Sequence, residues 1–136
     1  MARTDRHFRY LVRQLTRKAV LFTEMIHTNS ILFGNRNRLD DYFEIENPIV
    51  LQLGGNDPDS LSKVCKMAEH YNYDEINLNL GCPSPKVKSG NFGAALMDHP
   101  ETVQKCLVAM LENSTQIISV NIRLGIDENV IDKSLD

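Results

Sequence analysis

The run Glu75-Ile-Asn-Leu-Asn-Leu-Gly-Cys-Pro-Ser84 decides how the chain is read. Ile76, Leu78 and Leu80 alternate with Asn77 and Asn79, the period of a strand with two unlike faces. Gly81 ends that strand. Cys82-Pro83 then opens a loop that continues Pro85-Lys-Val-Lys-Ser-Gly-Asn-Phe-Gly-Ala-Ala-Leu-Met97, with two lysines and two glycines. A polar Asn79 and a thiol at the C-terminal end of an apolar strand suit a functional site. The same residues also suit a buried filler beside a strand stop, because free Cys is among the most buried residue types. Local chemistry leaves both readings open.

Outward from that strand, helix and strand patterns alternate. Upstream, Thr4 or Asp5 caps a helix in which Phe8, Leu11, Val12 and Leu15 recur at i, i+3, i+4 and i+7, a stripe expected to face a core. Ala19-Val-Leu-Phe-Thr-Glu-Met25 reads as a strand ending in a carboxylate, Ile31-Leu-Phe33 as a short helix, and Asn35-Arg-Asn-Arg38 as a basic loop. Ile49-Val-Leu-Gln-Leu53 is a strand stopped by Gly54-Gly55. Asp57-Pro58 starts a helix in the order cap, then proline. That helix buries Leu61, Val64, Cys65 and Ala68. Downstream, Asp98-His-Pro100 opens a helix with Val103, Cys106, Leu107, Met110 and Leu111 inward. Gln116 to Ile122 is the fourth strand, and residues 126–136 begin another helix.

Four strands with helical crossovers between them are α/β by pattern. The pattern alone does not separate a doubly wound sheet from a barrel. No GxGxxG follows a strand, which counts against a dinucleotide-binding sheet. Polar residues gather at strand ends (Glu24, Gln52, Asn79, Arg123), as they do on the catalytic face of a (β/α)8 barrel.

Composition narrows the class. Of 136 residues, 42% are hydrophobic and 24% charged, the balance of a globular domain, and no apolar run approaches the roughly 20 residues of a membrane span. A formal net charge of −3 gives no global sign of nucleic-acid binding. In the first eighteen residues, however, Arg3, Arg6, Arg9, Arg13, Arg17 and Lys18 face only Asp5. They read as the solvated face of a helix or as a phosphate-contacting patch. The three cysteines are scattered, without a CxxC pair, which fits a reducing compartment and gives no zinc site.

Asn79-x-Gly81-Cys82-Pro83-Ser84, followed by Val87, Gly90 and Gly93-Ala94-x-Leu96-Met97, resembles the active-site segment of the tRNA-dihydrouridine synthases, most closely the A-type. Thr4-Asp-Arg-His-Phe-Arg9, Thr23-Glu24-Met25, Leu51-Gln-Leu-Gly-Gly-x-Asp57 and Arg123-Leu-Gly-Ile-Asp127 agree in order and spacing, so the likeness covers nearly the whole chain. The resemblance implies an FMN-binding (β/α)8 TIM barrel. A full barrel needs about 250 residues. Residues 1–136 would therefore be an incomplete catalytic domain holding strands two to five, a piece of a longer protein. Such an open sheet is expected to show two unpaired edges and an apolar inner face.

By the same resemblance, NADPH reduces FMN, a hydride passes to C6 of a tRNA uridine, and an acid protonates C5. Cys82 matches that acid. A thiol with an ordinary pKa near ~8.5 is protonated at neutral pH yet able to give its proton to a forming carbanion. Gln52 matches a glutamine that bonds the flavin ring, and Asn79 an asparagine that contacts the target uridine. Glu24 is a weaker candidate for the substrate pocket. Arg123 is a candidate for a flavin or RNA phosphate, and Lys86 and Lys88 for the tRNA backbone or for plain surface. His27 and His99 carry no role.

The likeness departs at Asn121, where the family has a lysine against the pyrimidine edge of the flavin. A cation there would stabilise the anionic reduced flavin by ~2–4 kcal/mol, and an amide carries no such charge. The implied partner is tRNA, with no membrane and no metal, in the cytoplasm or an organelle. Two rivals remain: a flavin-free, non-catalytic paralogue, and a flavin barrel acting on a free pyrimidine. The run from Cys82 to Met97 argues against the second.

Overall fold

The computed structural model describes residues 4–34 and 36–124 and, within them, every side chain except those of Arg36, Asn37, Lys86 and Lys88. The helix expected over residues 126–136, and Asn35 of the basic loop, lie outside the described residues. Helix α1 (Arg6–Leu15) starts at Asp5, whose carboxylate accepts the Phe8 N–H at 2.9 Å. Two short strands follow, β1 (Leu21–Phe22) and β2 (Ile26–His27), then α2 (Thr28–Leu32). Single-turn 3-10 segments at Arg36–Asp40 and Glu44–Glu46 lead into β3 (Ile49–Gly54). Helix α3 (Pro58–Ala68) begins at Asp57, which accepts the Ser60 N–H at 3.0 Å. Strand β4 (Glu75–Asn79), α4 (Pro85–Ser89), a 3-10 turn (Gly93–Asp98), α5 (Pro100–Leu111) and β5 (Ile117–Asn121) complete the order.

All pairings are parallel, in the spatial order β1-β3-β4-β5, with β2 also lying on β3. The single strand expected over residues 19–25 is thus two pieces on one edge of β3. At the break, the Thr23 hydroxyl accepts the Gln52 N–H at 2.9 Å, where an unbroken ladder would use a strand carbonyl. Among the described residues β1 and β5 pair on one side only, so the sheet is open at both ends.

Register sorts the side chains. Leu51, Ile76 and Ile118 are aligned across the sheet, as are Leu53, Leu78 and Val120. With Ile49 they form the apolar face, where Ile49, Leu51, Leu53, Ile76 and Leu78 are fully buried. These residues cluster with Leu61, Val64, Cys65 and Ala68 of α3 and with Cys106 and Met110 of α5. Burial of each such aliphatic side chain contributes about 1.5–3 kcal/mol, so this layer dominates the fold. Positions one residue out of phase carry Gln52, Asn77 and Ser119 in one row and Asn79 and Asn121 in the next. The expected apolar inner face is therefore mostly amide and hydroxyl over these rows.

Helix α1 also departs from the sequence reading. Phe8, Leu11 and Leu15 of the expected core stripe are 48%, 57% and 80% exposed, whereas Arg9 and Arg13 are 3% and 5% exposed. Arg9 donates to Glu46 Oε2 (2.5 Å) and to the carbonyls of Thr4 and Asp41. Arg13 donates to the carbonyls of Thr16, Glu46 and Pro48. Neither arginine is a solvated residue or a phosphate contact. The inner side of α1 meets the 44–48 turn, whose carbonyls need donors, and a guanidinium offers five. No helix of the described residues is long and apolar enough to cross a membrane.

Candidate active site

Gly81, Cys82 and Arg123 follow the C-terminal ends of β4 and β5, and a parallel sheet brings those ends to one side. Asn79 Oδ1 accepts the N–H groups of Gly81 (3.1 Å) and Cys82 (2.9 Å). Its Nδ2 donates to Gln52 Oε1 at 3.1 Å. The thiol-bearing backbone and the Gln52 amide are thus joined through one side chain. From the other side, Ala94 N–H donates to Cys82 O at 3.1 Å. The half-buried thiol itself donates to Ser84 Oγ at 3.6 Å.

Two glycines let this loop close. A Cβ on Gly81 would stand 3.0 Å from Asn121 Nδ2, so the bare backbone admits the Asn121 amide beside the Cys82 turn. Gly93 has φ +62°, and a Cβ there would lie 2.4 Å from Val87 Cγ1 and 2.9 Å from Cys82 O. Gly93→Ala is expected to lose about 1–3 kcal/mol, since both the left-handed backbone and the backbone contact resist a methyl group. The midpoint of urea unfolding measures it. An unchanged midpoint would mean that the loop does not pack against Cys82 in this way.

The other cysteines are unlike Cys82. Cys65 and Cys106 are fully buried, and burial pushes their thiols up to about 12 and about 11. Both are core residues, in line with their helical stripes. His27 accepts the Asn29 N–H at 3.1 Å as the cap of α2, and its ring meets Phe92 edge-on at 4.6 Å. Burial holds its pKa below the ordinary value, consistent with a structural residue.

The remaining candidates are more scattered. Glu24 lines a cleft of about 290 Å³ with Asp5, Thr23 and Arg38, among others, near the β1–β2 break. Arg123 lies half-buried two residues past β5. The side chains of Lys86 and Lys88 lie outside the described ones, although their backbone forms part of α4. Asn121 Oδ1 is buried with no hydrogen-bond partner among the described residues, so it calls for a donor.

Residues 1–134 match the profile of the family described as "Dihydrouridine synthase (Dus)". The chain belongs to the dihydrouridine synthase family. Proteins named tRNA-dihydrouridine(20/20a) synthase are similar to it: one from Synechocystis sp. is 50% identical over 127 residues. Another from Xanthomonas campestris is 45% identical over 126 residues. Each alignment covers 93% of this chain but 38% of the relative, so the chain spans well under half the length of these synthases. One from Escherichia coli is 47% identical over 125 residues, 92% of this chain and 38% of the relative. The open sheet is accordingly part of the dihydrouridine synthase (β/α)8 barrel.

The family is flavin-dependent. Two observations fit a flavin against this face. Gln52 can donate and accept within one amide, and the orphan Oδ1 of Asn121 suits an imide N–H of the kind a flavin carries. Sequence reasoning missed Asn77, Ser119 and Glu75, which extend the amide row. Asn77 and Glu75 share the parity of Asn79 on β4 and so carried a signal. Ser119 lay hidden, because only the register of β5 brings it alongside.

Proposed function

We propose that this chain carries the proton-donating part of a tRNA-dihydrouridine synthase active site, which reduces a tRNA uridine to 5,6-dihydrouridine. The observation that supports it best is the join of the Cys82 backbone to Gln52 through Asn79, in a chain of this family. Gln52 and Asn121 would hold the edge of a bound FMN by hydrogen bonds, and that flavin, reduced by NADPH, would supply a hydride for C6 of the uracil. Cys82 gives its Sγ proton to C5 on the carbanion side, leaving a thiolate that takes a proton back from solvent. Asn79 holds the Cys82 turn and turns its remaining Nδ2 hydrogen to the target base. The target must leave the tRNA stack to reach this position.

Glu24 lines the substrate cleft, Arg123 meets a phosphate, and Lys86 and Lys88 grip the tRNA backbone, where phosphate contacts dominate affinity. The setting is the cytoplasm or an organelle of similar redox state. The test incubates the protein with unmodified tRNA, FMN and NADPH and digests the RNA for mass spectrometry. A nucleoside two hydrogens heavier than uridine is the expected product, with free uracil and orotate untouched. Turnover of the free pyrimidine but not of tRNA would overturn the tRNA assignment. Protein that leaves gel filtration colourless after loading with FMN would overturn the flavin assignment.

A further inference from the structure

The bonds around Gln52 continue across the sheet in one direction. Gln52 Nε2 donates to Asn77 Oδ1 at 3.2 Å, and Asn77 Nδ2 donates to Ser119 Oγ at 2.7 Å. Ser119 Oγ in turn donates to Glu75 Oε1. With the bond from Asn79 to Gln52, five side chains on three strands form one row, ending at the backbone of Gly81 and Cys82.

Amide orientation is ordinarily ambiguous, because oxygen and nitrogen look alike. Here the two ends remove the ambiguity. The N–H groups of Gly81 and Cys82 can only donate, so Asn79 must present oxygen to them and nitrogen to Gln52. Gln52 must then accept through Oε1 and donate through Nε2, and Asn77 must accept from it and donate to Ser119. Ser119 is left with one hydrogen, which needs an acceptor. Glu75, a carboxylate, accepts and does not donate. Both ends demand the same sense, so no member can turn over without leaving a bond unmade on a face where Asn77 and Asn79 are nearly fully buried.

We propose that Glu75, Asn77 and Ser119 are positioning residues that hold the Gln52 amide in a single orientation and, through Asn79, fix the Cys82 turn. Gln52 therefore offers a bound ring its spare donor on the Asn77 side and its spare acceptor on the Asn79 side, in that order. A ring with the reversed order of acceptor and donor is rejected, since admitting it requires the whole row to turn over. The consequence for a ring ligand rests on the flavin reading given above; the row itself does not.

The test uses Ser119→Ala, which cuts the row, and Ser119→Thr, which keeps the hydroxyl and suits a strand. Far-UV circular dichroism first verifies that both variants keep the fold. In 15N-labelled protein, Ser119→Ala is expected to shift the side-chain amides of Asn77, Gln52 and Asn79 and the backbone N–H signals of Gly81 and Cys82. Ser119→Thr is expected to leave them near their original positions. Shifts that stop at Asn77 would overturn the proposal. In parallel, FMN titration should show binding about three- to tenfold weaker in Ser119→Ala, with Ser119→Thr near the unsubstituted protein. If the amides respond while even the unsubstituted protein ignores FMN, the flavin reading fails and the row stands. If FMN binds equally to all three, the positioning role is wrong.

Discussion

Glu46→Ala is expected to destabilise the fold by about 3–5 kcal/mol, because it leaves the Arg9 guanidinium buried without its counter-charge. The pair is enclosed, with side chains 3% and 0% exposed at 2.5 Å, so water cannot take over the missing partner. Glu46 also accepts the Phe43 N–H at 2.8 Å, and the substitution orphans that donor as well. Arg9→Ala is expected to be nearly as costly, since it further releases the carbonyls of Thr4 and Asp41. By contrast, the exposed pair Arg6–Asp41 at 3.5 Å should contribute under about 1 kcal/mol. Replacing Arg9 and Glu46 together by methionine and leucine is expected to restore a large part of the loss, as removal of both charges leaves neither uncompensated. Urea unfolding followed by circular dichroism reads all three. A Glu46→Ala midpoint within about 1 kcal/mol of the starting protein would mean that α1 is not anchored through this pair.

The second large effect concerns the reaction. Cys82→Ala is expected to lower the rate of dihydrouridine formation by about 10²–10⁴-fold, the usual worth of a positioned acid. The backbone of residue 82 should stay in place, because its N–H and C=O bonds to Asn79 and Ala94 do not involve the thiol. FMN affinity is therefore expected to change little, while single-turnover tRNA reduction falls. Cys82→Ser should land between, since a hydroxyl occupies the same place but is a far weaker acid. Cys65→Ala is the control: that thiol is enclosed and held protonated by burial, so it should affect stability and leave the rate alone. Single-turnover rates that drop for Cys65→Ala and not for Cys82→Ala would reassign the acid.

Much of this site was legible along the chain because it is local. Cys82, Ser84 and Asn79 lie within six consecutive residues and are joined by bonds that such spacing allows. The start of α3 at Asp57-Pro58 was legible for the same reason. Helix α1 was misread because its periodicity shows which residues share a face and not which face turns inward. Two apolar-looking assumptions, that leucines face the core and arginines face water, both fail there. The 44–48 turn supplies a carboxylate and carbonyls that lie over thirty positions away in sequence.

The order of residues by itself determined the parallel α/β alternation and the turn after β4 that carries Cys82. These depend on side-chain period and on bonds between near neighbours, which the backbone geometry of a strand or cap enforces wherever they occur. Only the tertiary structure decided that Arg9 and Arg13 are internal struts, that the second face of the sheet is polar, and that Glu75 reaches Cys82 through four side chains on three strands. Each of those depends on the register between strands and on how a helix rolls against a turn, and burial then leaves a polar group no alternative partner.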